Sequence, residues 1–136
     1  MGRIMSLDPG SKRIGVAVSD RSRAFAFERY AIDATQEYVE HIESLVEEEG
    51  VTEIIVGLPL GLDGTETAST EMARDFHKLI VGTFQEMTVH LVDERYTTKT
   101  ASRRLSEAGV SIKEQRQYVD SQAAAVLLQM FLDSNA

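Results

Sequence analysis

The stretch Arg3–Val18, RIMSLDPGSKRIGVAV, decides how the chain is expected to begin its fold. Two apolar runs, Arg3–Leu7 and Ile14–Val18, are separated by Asp8-Pro9-Gly10 and three further polar residues. Asp-Pro-Gly favours a turn, because proline fixes φ and glycine adds backbone freedom. The stretch therefore predicts two antiparallel strands joined as a hairpin, with Asp8 where the first strand ends.

Downstream of the hairpin the apolar pattern changes from strand-like to helix-like. Further strands are expected at Ala24–Ala31, Glu53–Gly57 and Met87–Val92. Helices are expected where apolar residues recur at helical spacing: Tyr38–Val46, Met72–Ile80 (through Met72, Phe76, Leu79 and Ile80), Ala101–Ala108, and from Asp120 onward. The order β-β-β-α-β-α-β-α-α is that of a ribonuclease H-like α/β domain. Its mixed five-stranded sheet has three antiparallel strands, then β-α units, with helices on both faces.

Composition limits the classes of function. With 136 residues, of which 43% are hydrophobic, the chain is expected to form one domain over residues 1–136. It has no cysteine, so thiolate chemistry is excluded and any metal must be held by oxygen or histidine ligands. No apolar run is long enough for a signal peptide or a membrane span, and we expect a cytoplasmic protein without a membrane partner.

Charge is distributed unevenly along the chain, which has a formal net charge of −8. Residues 33–94 carry 15 acidic and two basic residues, whereas the rest carries seven acidic and 12 basic ones. An acidic protein disfavours a nucleic-acid partner, because phosphate binding needs Lys and Arg, yet this distribution allows a basic face. An ordinary difference in charge between helix surfaces is the other explanation, and the sequence leaves both open.

Three acidic positions are candidates for a common site. Asp8 and either Asp93 or Glu94 follow apolar strands, whose carboxyl ends meet at one edge if the strands are parallel neighbours. Each acid also has a structural explanation. Asp8 suits a turn, an acid at 93 or 94 suits a helix dipole, and Asp120 suits an N-cap. Spacing alone does not choose between Asp93 and Glu94.

The orientation of Asp120 is predicted from the last helix. It precedes Ala124, Leu127, Leu128 and Phe131 at helical spacing, which places it on the face expected to pack on the sheet. Gln122 and Gln129 fall on the opposite face and are expected to be in solvent.

A cluster of carboxylates favours one kind of chemistry. At about 4 Å and an effective dielectric near 20, each like-charged pair costs roughly 4 kcal/mol. Such a cluster must take up protons or bind a hard cation, and oxygen ligands favour Mg²⁺ or Mn²⁺. Two such ions can activate a water and stabilise the leaving oxygen of a phosphodiester. The pattern therefore predicts a divalent-metal site that can hydrolyse a phosphodiester.

Four ordered motifs, LDPGSKRIGVAVSD, IIVGLPLGLDGTE, DERYTT and VDSQAAAVLLQMFLD, make the chain resemble the YqgF/RuvX family over nearly its whole length. The resemblance implies a ribonuclease H-like fold and a bacterial cytoplasmic nuclease that trims the 5′ end of precursor 16S ribosomal RNA. Holliday-junction resolution in DNA is the alternative activity ascribed to the family. Its acidic positions fall on Asp8, Glu94 and Asp120, which the resemblance makes the expected catalytic and metal-binding residues. Only the resemblance selects Glu94 over Asp93.

Basic side chains near these acids are candidates for nucleic-acid binding: Lys12, Arg13, Arg95, Lys99 and Arg103. The first two lie in the turn after Asp8. The last three recur every four residues and would form a ridge on one helix face, although a solvated face explains that spacing equally well. The stretch before Asp120, commonly strongly basic in the family, reads SIKEQRQYVD and has only Lys113 and Arg116.

Three functions are consistent with these features. The first is a metal-dependent endonuclease acting on precursor ribosomal RNA, or on branched DNA. The second is a relative of sugar kinases and actin-type ATPases, whose phosphate loop also reads Asp-x-Gly followed by Ser or Thr, but which need a second lobe. The third is a non-catalytic RNA-binding module in which the acids are structural caps. The sequence shows no signal for an oligomeric state.

Overall fold

A five-stranded mixed sheet with the order β3-β2-β1-β4-β5 forms the centre of the molecule. This computed structural model describes residues 2–95 and 112–134, with side chains described except at 112–120. The strands are β1 (Arg3–Pro9), β2 (Arg13–Ser19), β3 (Ala26–Asp33), β4 (Val51–Leu58) and β5 (Thr88–Asp93). The helices are α1 (Val39–Glu49), α2 (Ala68–Thr83) and α3 (Ile112–Ser134). The helix predicted at Ala101–Ala108 lies outside the described residues.

Strand pairing confirms the predicted mixed sheet. The hairpin strands β1 and β2 are antiparallel, and so are β2 and β3. By contrast, β1 and β4 are parallel, as are β4 and β5. The carboxyl ends of β1, β4 and β5 therefore lie at the same edge of the sheet, called the carboxyl edge below.

Local sequence explains where α1 and α2 begin or end. Gly50 follows α1 with φ 65° and ψ 43°, a left-handed conformation that glycine adopts without steric cost, and the helix ends there. Thr67 caps α2, and its side chain and that of Thr70 form a reciprocal capping box. The two helices thus have sequence-encoded boundaries.

Helices cover both faces of the sheet, as predicted. On one face, α1 and α2 pack on β-strand residues such as Met5, Leu7 and Val56. On the other face, α3 packs on Ile4, Ala17 and Ile55. Successive side chains of a strand alternate between faces. Asp8 therefore points to the α3 side of the carboxyl edge, together with Ile4.

Helix α3 corrects one prediction. It begins at Ile112, not at Asp120, so Asp120 is inside the helix and does not serve as an N-cap. The start was missed because residues 112–119 are mostly polar and offer no apolar stripe to mark a helix. The apolar signal begins only where α3 is buried against β1, β2 and β3.

Two side-chain environments also differ from prediction. Gln122 is buried, and its Nε2 donates to Oε1 of Glu28 on β3 at 3.2 Å. Gln129 also contacts the β3 region, since its Oε1 accepts from Ala26 N at 3.0 Å. Both glutamines face the sheet because α3 lies over the β3 edge as well as the centre. On α2, Leu79 is 42% exposed and does not join the core.

None of the helices within residues 2–95 and 112–134 combines the length and apolar character that crossing a membrane requires.

Candidate metal centre

At the carboxyl edge, the ends of the three adjacent strands β1, β4 and β5 lie side by side at the level of Asp8. Leu7 of β1 is in register with Val56 of β4, so Asp8 lies beside Gly57. Gly57 is in turn paired with Val92 of β5. Glu94 follows β5 directly, and its N–H donates to the Leu58 carbonyl at 3.2 Å. The chain leaving β5 is thereby held against the end of β4.

The Glu94 side chain turns back over β4 toward Asp8, with which it forms a side-chain hydrogen bond. Its Oε2 atom is buried. A Cβ atom placed on Gly57 would lie 2.2 Å from that oxygen, and 3.2 Å from Cδ2 of Leu127 on α3. Only a glycine at position 57 leaves room for this carboxyl between β4 and α3. Gly57 was predicted as part of a strand end, and its role was not visible from spacing.

The proximity of the two carboxyls changes their protonation. Burial, a hydrogen bond to Asp8 and repulsion from Asp8 and Asp93 raise the pKa of Glu94 to about 9. At neutral pH the pair therefore holds a proton when no cation is bound. Two carboxyl groups this close suit a hard divalent cation, which would replace that proton. The donor set thus fits Mg²⁺ or Mn²⁺.

The carboxylate of Asp93 is paired with Arg95. It accepts hydrogen bonds from Arg95 N at 3.0 Å and from Arg95 Nε at 2.7 Å. The hydrogen bond from the Arg95 side chain lowers the pKa of Asp93 below its ordinary value. This geometry favours Glu94 over Asp93 as the partner of Asp8, the choice that spacing alone left open.

Asp120 lies on α3, and its side chain is outside the described residues. The next residue, Ser121, is buried, and its Oγ accepts a hydrogen bond from the N–H of Val16 at 3.1 Å. Val16 follows Gly15, which is paired with Asp8 across the β1–β2 hairpin. Ser121 thus joins α3 to β2, the strand paired with β1 beside Asp8. No sequence pattern predicted this contact. Where side chains are described, no cluster of three metal-binding groups is present, so the three-ligand site stays a prediction.

Three of the predicted basic residues, Lys12, Arg13 and Arg95, lie around the carboxyl edge. Lys12 and Arg13 are exposed in and after the β1–β2 turn, and Arg13 lies near Asp33. Arg95 pairs with Asp93, with 2.6 Å between Nη2 and Oδ2, and also lies near Asp63 in the β4–α2 loop. Lys99 and Arg103 lie outside the described residues, so the predicted ridge is untested.

The sequence of the chain is similar to those of known proteins. The chain matches the model described as "RuvX: Holliday junction resolvase" over residues 2–134. It is 36% identical over 132 residues to the "Putative pre-16S rRNA nuclease" of Maridesulfovibrio salexigens, covering 96% of this chain and 97% of the relative. Identity to the protein of the same name from Pelotomaculum thermopropionicum is 42% over 135 residues, covering 97% and 87%.

Solved structures show the same fold. The fowlpox virus Holliday junction resolvase superposes with a TM-score of 0.65 at 14% identity, covering 98% of this chain and 99% of the resolvase. T. thermophilus RuvC in complex with a Holliday junction substrate gives a TM-score of 0.57 at 12% identity, covering 99% and 96%. These likenesses confirm the ribonuclease H-like architecture. Since the family model spans residues 2–134 and the two relatives match at least 96% of the chain, this chain belongs to the RuvX family.

Proposed function

We propose that this chain is a metal-dependent endonuclease that hydrolyses phosphodiester bonds, with the 5′ end of precursor 16S ribosomal RNA as its substrate. The pairing of Asp8 with the half-buried Glu94 at the carboxyl edge carries the proposal. The relatives above are named for a nuclease of precursor 16S ribosomal RNA, which supports the substrate. Such processing would place the protein in the bacterial cytoplasm.

The metal site would be built from both ends of the chain. Asp8 at the end of β1 and Glu94 after β5 would hold Mg²⁺ or Mn²⁺, and we assign Asp120 on α3 as a further ligand. When bound, the ions would activate a water and stabilise the leaving oxygen of the phosphodiester. The buried Glu94 oxygen would keep its position relative to Asp8 because Gly57 and Leu127 enclose it.

The residues around the pair would orient the substrate. Lys12 and Arg13 are exposed beside the carboxyl edge and would attract the phosphate backbone. Arg95 would hold Asp93 away from the metal through the ion pair between them. These side chains position the nucleic acid and the acids, and they take no part in proton transfer.

A second candidate is resolution of Holliday junctions. The description of the family model and the function named for the fowlpox structure favour it. It would use the same carboxyl pair with a branched DNA substrate.

One assay separates these functions. Precursor 16S ribosomal RNA and a four-way DNA junction are incubated in parallel with the protein in Mg²⁺, in EDTA, and with the Asp8→Asn variant. We expect Mg²⁺-dependent cleavage near the 5′ end of the RNA, and a loss of at least about a hundredfold in Asp8→Asn. Full cleavage by Asp8→Asn would contradict the metal mechanism. Cleavage of the junction alone would replace the RNA substrate by DNA. RNA binding without cleavage by either protein would indicate a non-catalytic module.

A further inference from the structure

Two adjoining hollows, together called the groove below, lie between Glu94 and the face of the sheet covered by α1 and α2. Its inner part, about 350 Å³, includes Glu94, Pro59 and Ser11 in its lining. Its outer part, about 510 Å³, lies between α2 and the segment 34–38 that leads into α1. Both parts are lined by Pro9, Gly10, Ala68 and Met72. Because Glu94 lines the inner part, a nucleic-acid strand with a phosphate at the carboxyl pair would meet the outer part next along this shared lining.

The walls of the outer part are apolar and aromatic. Ile14 is buried, Tyr38 and Met72 are half-buried, and all three line the groove. The rings of Tyr38 and Phe76 pack with their centroids 5.7 Å apart and tilted by 44°. Such walls suit a flat ring system that stacks or inserts. The volume lies within the roughly 300–1,000 Å³ of ordinary small-molecule sites.

The polar lining of the outer part is acidic. Glu71 and Asp75 are exposed, lie one helical turn apart on α2, and both line this part. Neither forms a salt bridge with a residue of the described chain, and no described basic residue lines the outer part. Two carboxylates repel a phosphate and accept hydrogen bonds from N–H groups. The outer part therefore suits a flat ligand that carries N–H donors better than it suits a phosphate.

We propose that this outer groove binds an unpaired guanine base from the nucleotide next to the scissile phosphate. Guanine presents two adjacent donors, N1–H and one N2–H, which match the two oxygens of a single carboxylate, and the second N2–H can donate to the other acid. Adenine and cytosine present one amino group each and uracil one imide N–H, so they satisfy fewer acceptors. This inference rests on the proposed nuclease function and adds a specificity-determining subsite to it.

The test uses nucleotide binding, which needs no cleavage. The ¹⁵N-labelled protein is titrated in EDTA with guanosine, adenosine and uridine 5′-monophosphates and with inorganic phosphate, and amide chemical shifts are followed by NMR. We expect the guanosine nucleotide to bind most tightly and to shift amides at Gly10, Ala34, Met72 and Asp75. The variants Glu71→Gln and Asp75→Asn should each weaken guanosine binding by about tenfold, as expected for a hydrogen bond to a charged group. Glu48→Gln, at an exposed glutamate of α1 outside the groove, is the matched control and should bind like the wild type.

The outcomes separate this proposal from the nuclease function. Asp8→Asn should lose cleavage and keep guanosine binding, whereas Asp75→Asn should raise KM for a guanine-containing RNA about tenfold with kcat unchanged. Equal shifts from all three nucleotides, or from inorganic phosphate alone, would overturn guanine recognition. So would unchanged guanosine binding in both groove variants. Failure of cleavage with guanosine binding intact would contradict the nuclease function and leave the groove as a base-binding site.

Discussion

The missing side chain of Gly57 leaves the space in which the Glu94 carboxyl lies beside Asp8. In Gly57→Ala, the added Cβ would fall 2.2 Å from Glu94 Oε2, so we expect the carboxyl to move away from Asp8. Overpacking of this kind costs about 1–3 kcal/mol of stability. The rate of cleavage should fall strongly although the protein stays folded, because the metal site loses its geometry.

A matched glycine provides the control for Gly57. Gly82 is exposed near the end of α2, and a Cβ there would have no neighbour within 4 Å. Gly82→Ala should leave cleavage unchanged and stabilise the protein by about 0.5–1 kcal/mol, because alanine favours the helix. Thermal denaturation and the cleavage assay measure both variants. Normal cleavage by a folded Gly57→Ala protein would show that position 57 does not control the carboxyl pair.

The raised pKa of Glu94 makes the stability of the metal-free protein depend on pH. The folded-state pKa is about 9, against an ordinary value of 4.5, so the folded protein retains a proton that the unfolded chain releases. The stabilisation from this protonation is fully present below pH 4.5 and is lost as pH rises from there toward 9. In Glu94→Gln this carboxyl is absent, so the fall in stability with rising pH should disappear. The variant should be more stable than the wild type by about 1–3 kcal/mol at pH 8 in EDTA.

Denaturation in urea across this pH range checks the prediction for Glu94. Glu48→Gln, at an exposed position of α1, is the control and should follow the wild-type curve. Parallel pH profiles for wild type and Glu94→Gln would mean that the Glu94 carboxyl is ionised in the folded protein. That result would contradict the close pairing with Asp8.

Individual residues show how far the sequence could specify the site. The meeting of Asp8 with the region of Glu94 was predictable, because both follow apolar strands that end at the same edge. The choice between Asp93 and Glu94 depends on where β5 ends and on the pairing of Asp93 with Arg95, which spacing cannot show. The part played by Gly57 arises only when β4 lies between the two acids.

At the scale of elements, a buried hydrogen bond between Val16 N and Ser121 Oγ joins α3 to β2, beside the other contacts of this helix with the sheet. In Ser121→Ala, the N–H of Val16 loses its acceptor in a buried environment, and we expect a loss of about 1–3 kcal/mol. Because Ser121 follows Asp120 directly, the affinity for Mn²⁺ should fall as well. Ser44→Ala on the exposed face of α1 should change neither quantity. Unaltered urea denaturation of Ser121→Ala would show that this hydrogen bond does not contribute to holding α3 on the sheet.

The strands and the first two helices were predictable because their apolar periodicity and their glycine, proline and threonine boundaries are local. The start of α3 was not, since polar residues precede its buried part. The burial of Gln122 was missed for a different reason. Its partner, Glu28, is distant in sequence and is brought close only when α3 packs over β3.

For the whole molecule, the separation of charge limits how strongly nucleic acid can bind. The formal net charge is −8, and the basic residues expected to contact phosphate are few. The affinity for single-stranded RNA should therefore fall only moderately with salt. The slope of log K against log salt concentration is about −0.7 for each phosphate contact. Lys12→Ala should reduce the slope by about 0.7, whereas Lys78→Ala on α2 should leave it unchanged.

Fluorescence anisotropy with the Asp8→Asn protein, which avoids cleavage, gives these slopes. Identical slopes for Lys12→Ala and its parent would remove Lys12 from the nucleic-acid surface. A steep slope in both lysine variants would instead mean that residues outside the described chain make most of the phosphate contacts.

The central claim is that Asp8 and Glu94 form a divalent-metal site, and calorimetric titration with Mn²⁺ tests it most directly. Titrations at pH 7 in two buffers with different ionisation enthalpies measure both the affinity and the protons released. We predict that the wild type binds Mn²⁺ with release of about one proton from the carboxyl pair, and that Asp8→Asn and Glu94→Gln each lose binding at this site. Equal Mn²⁺ binding by all three proteins, without proton release, would contradict the account.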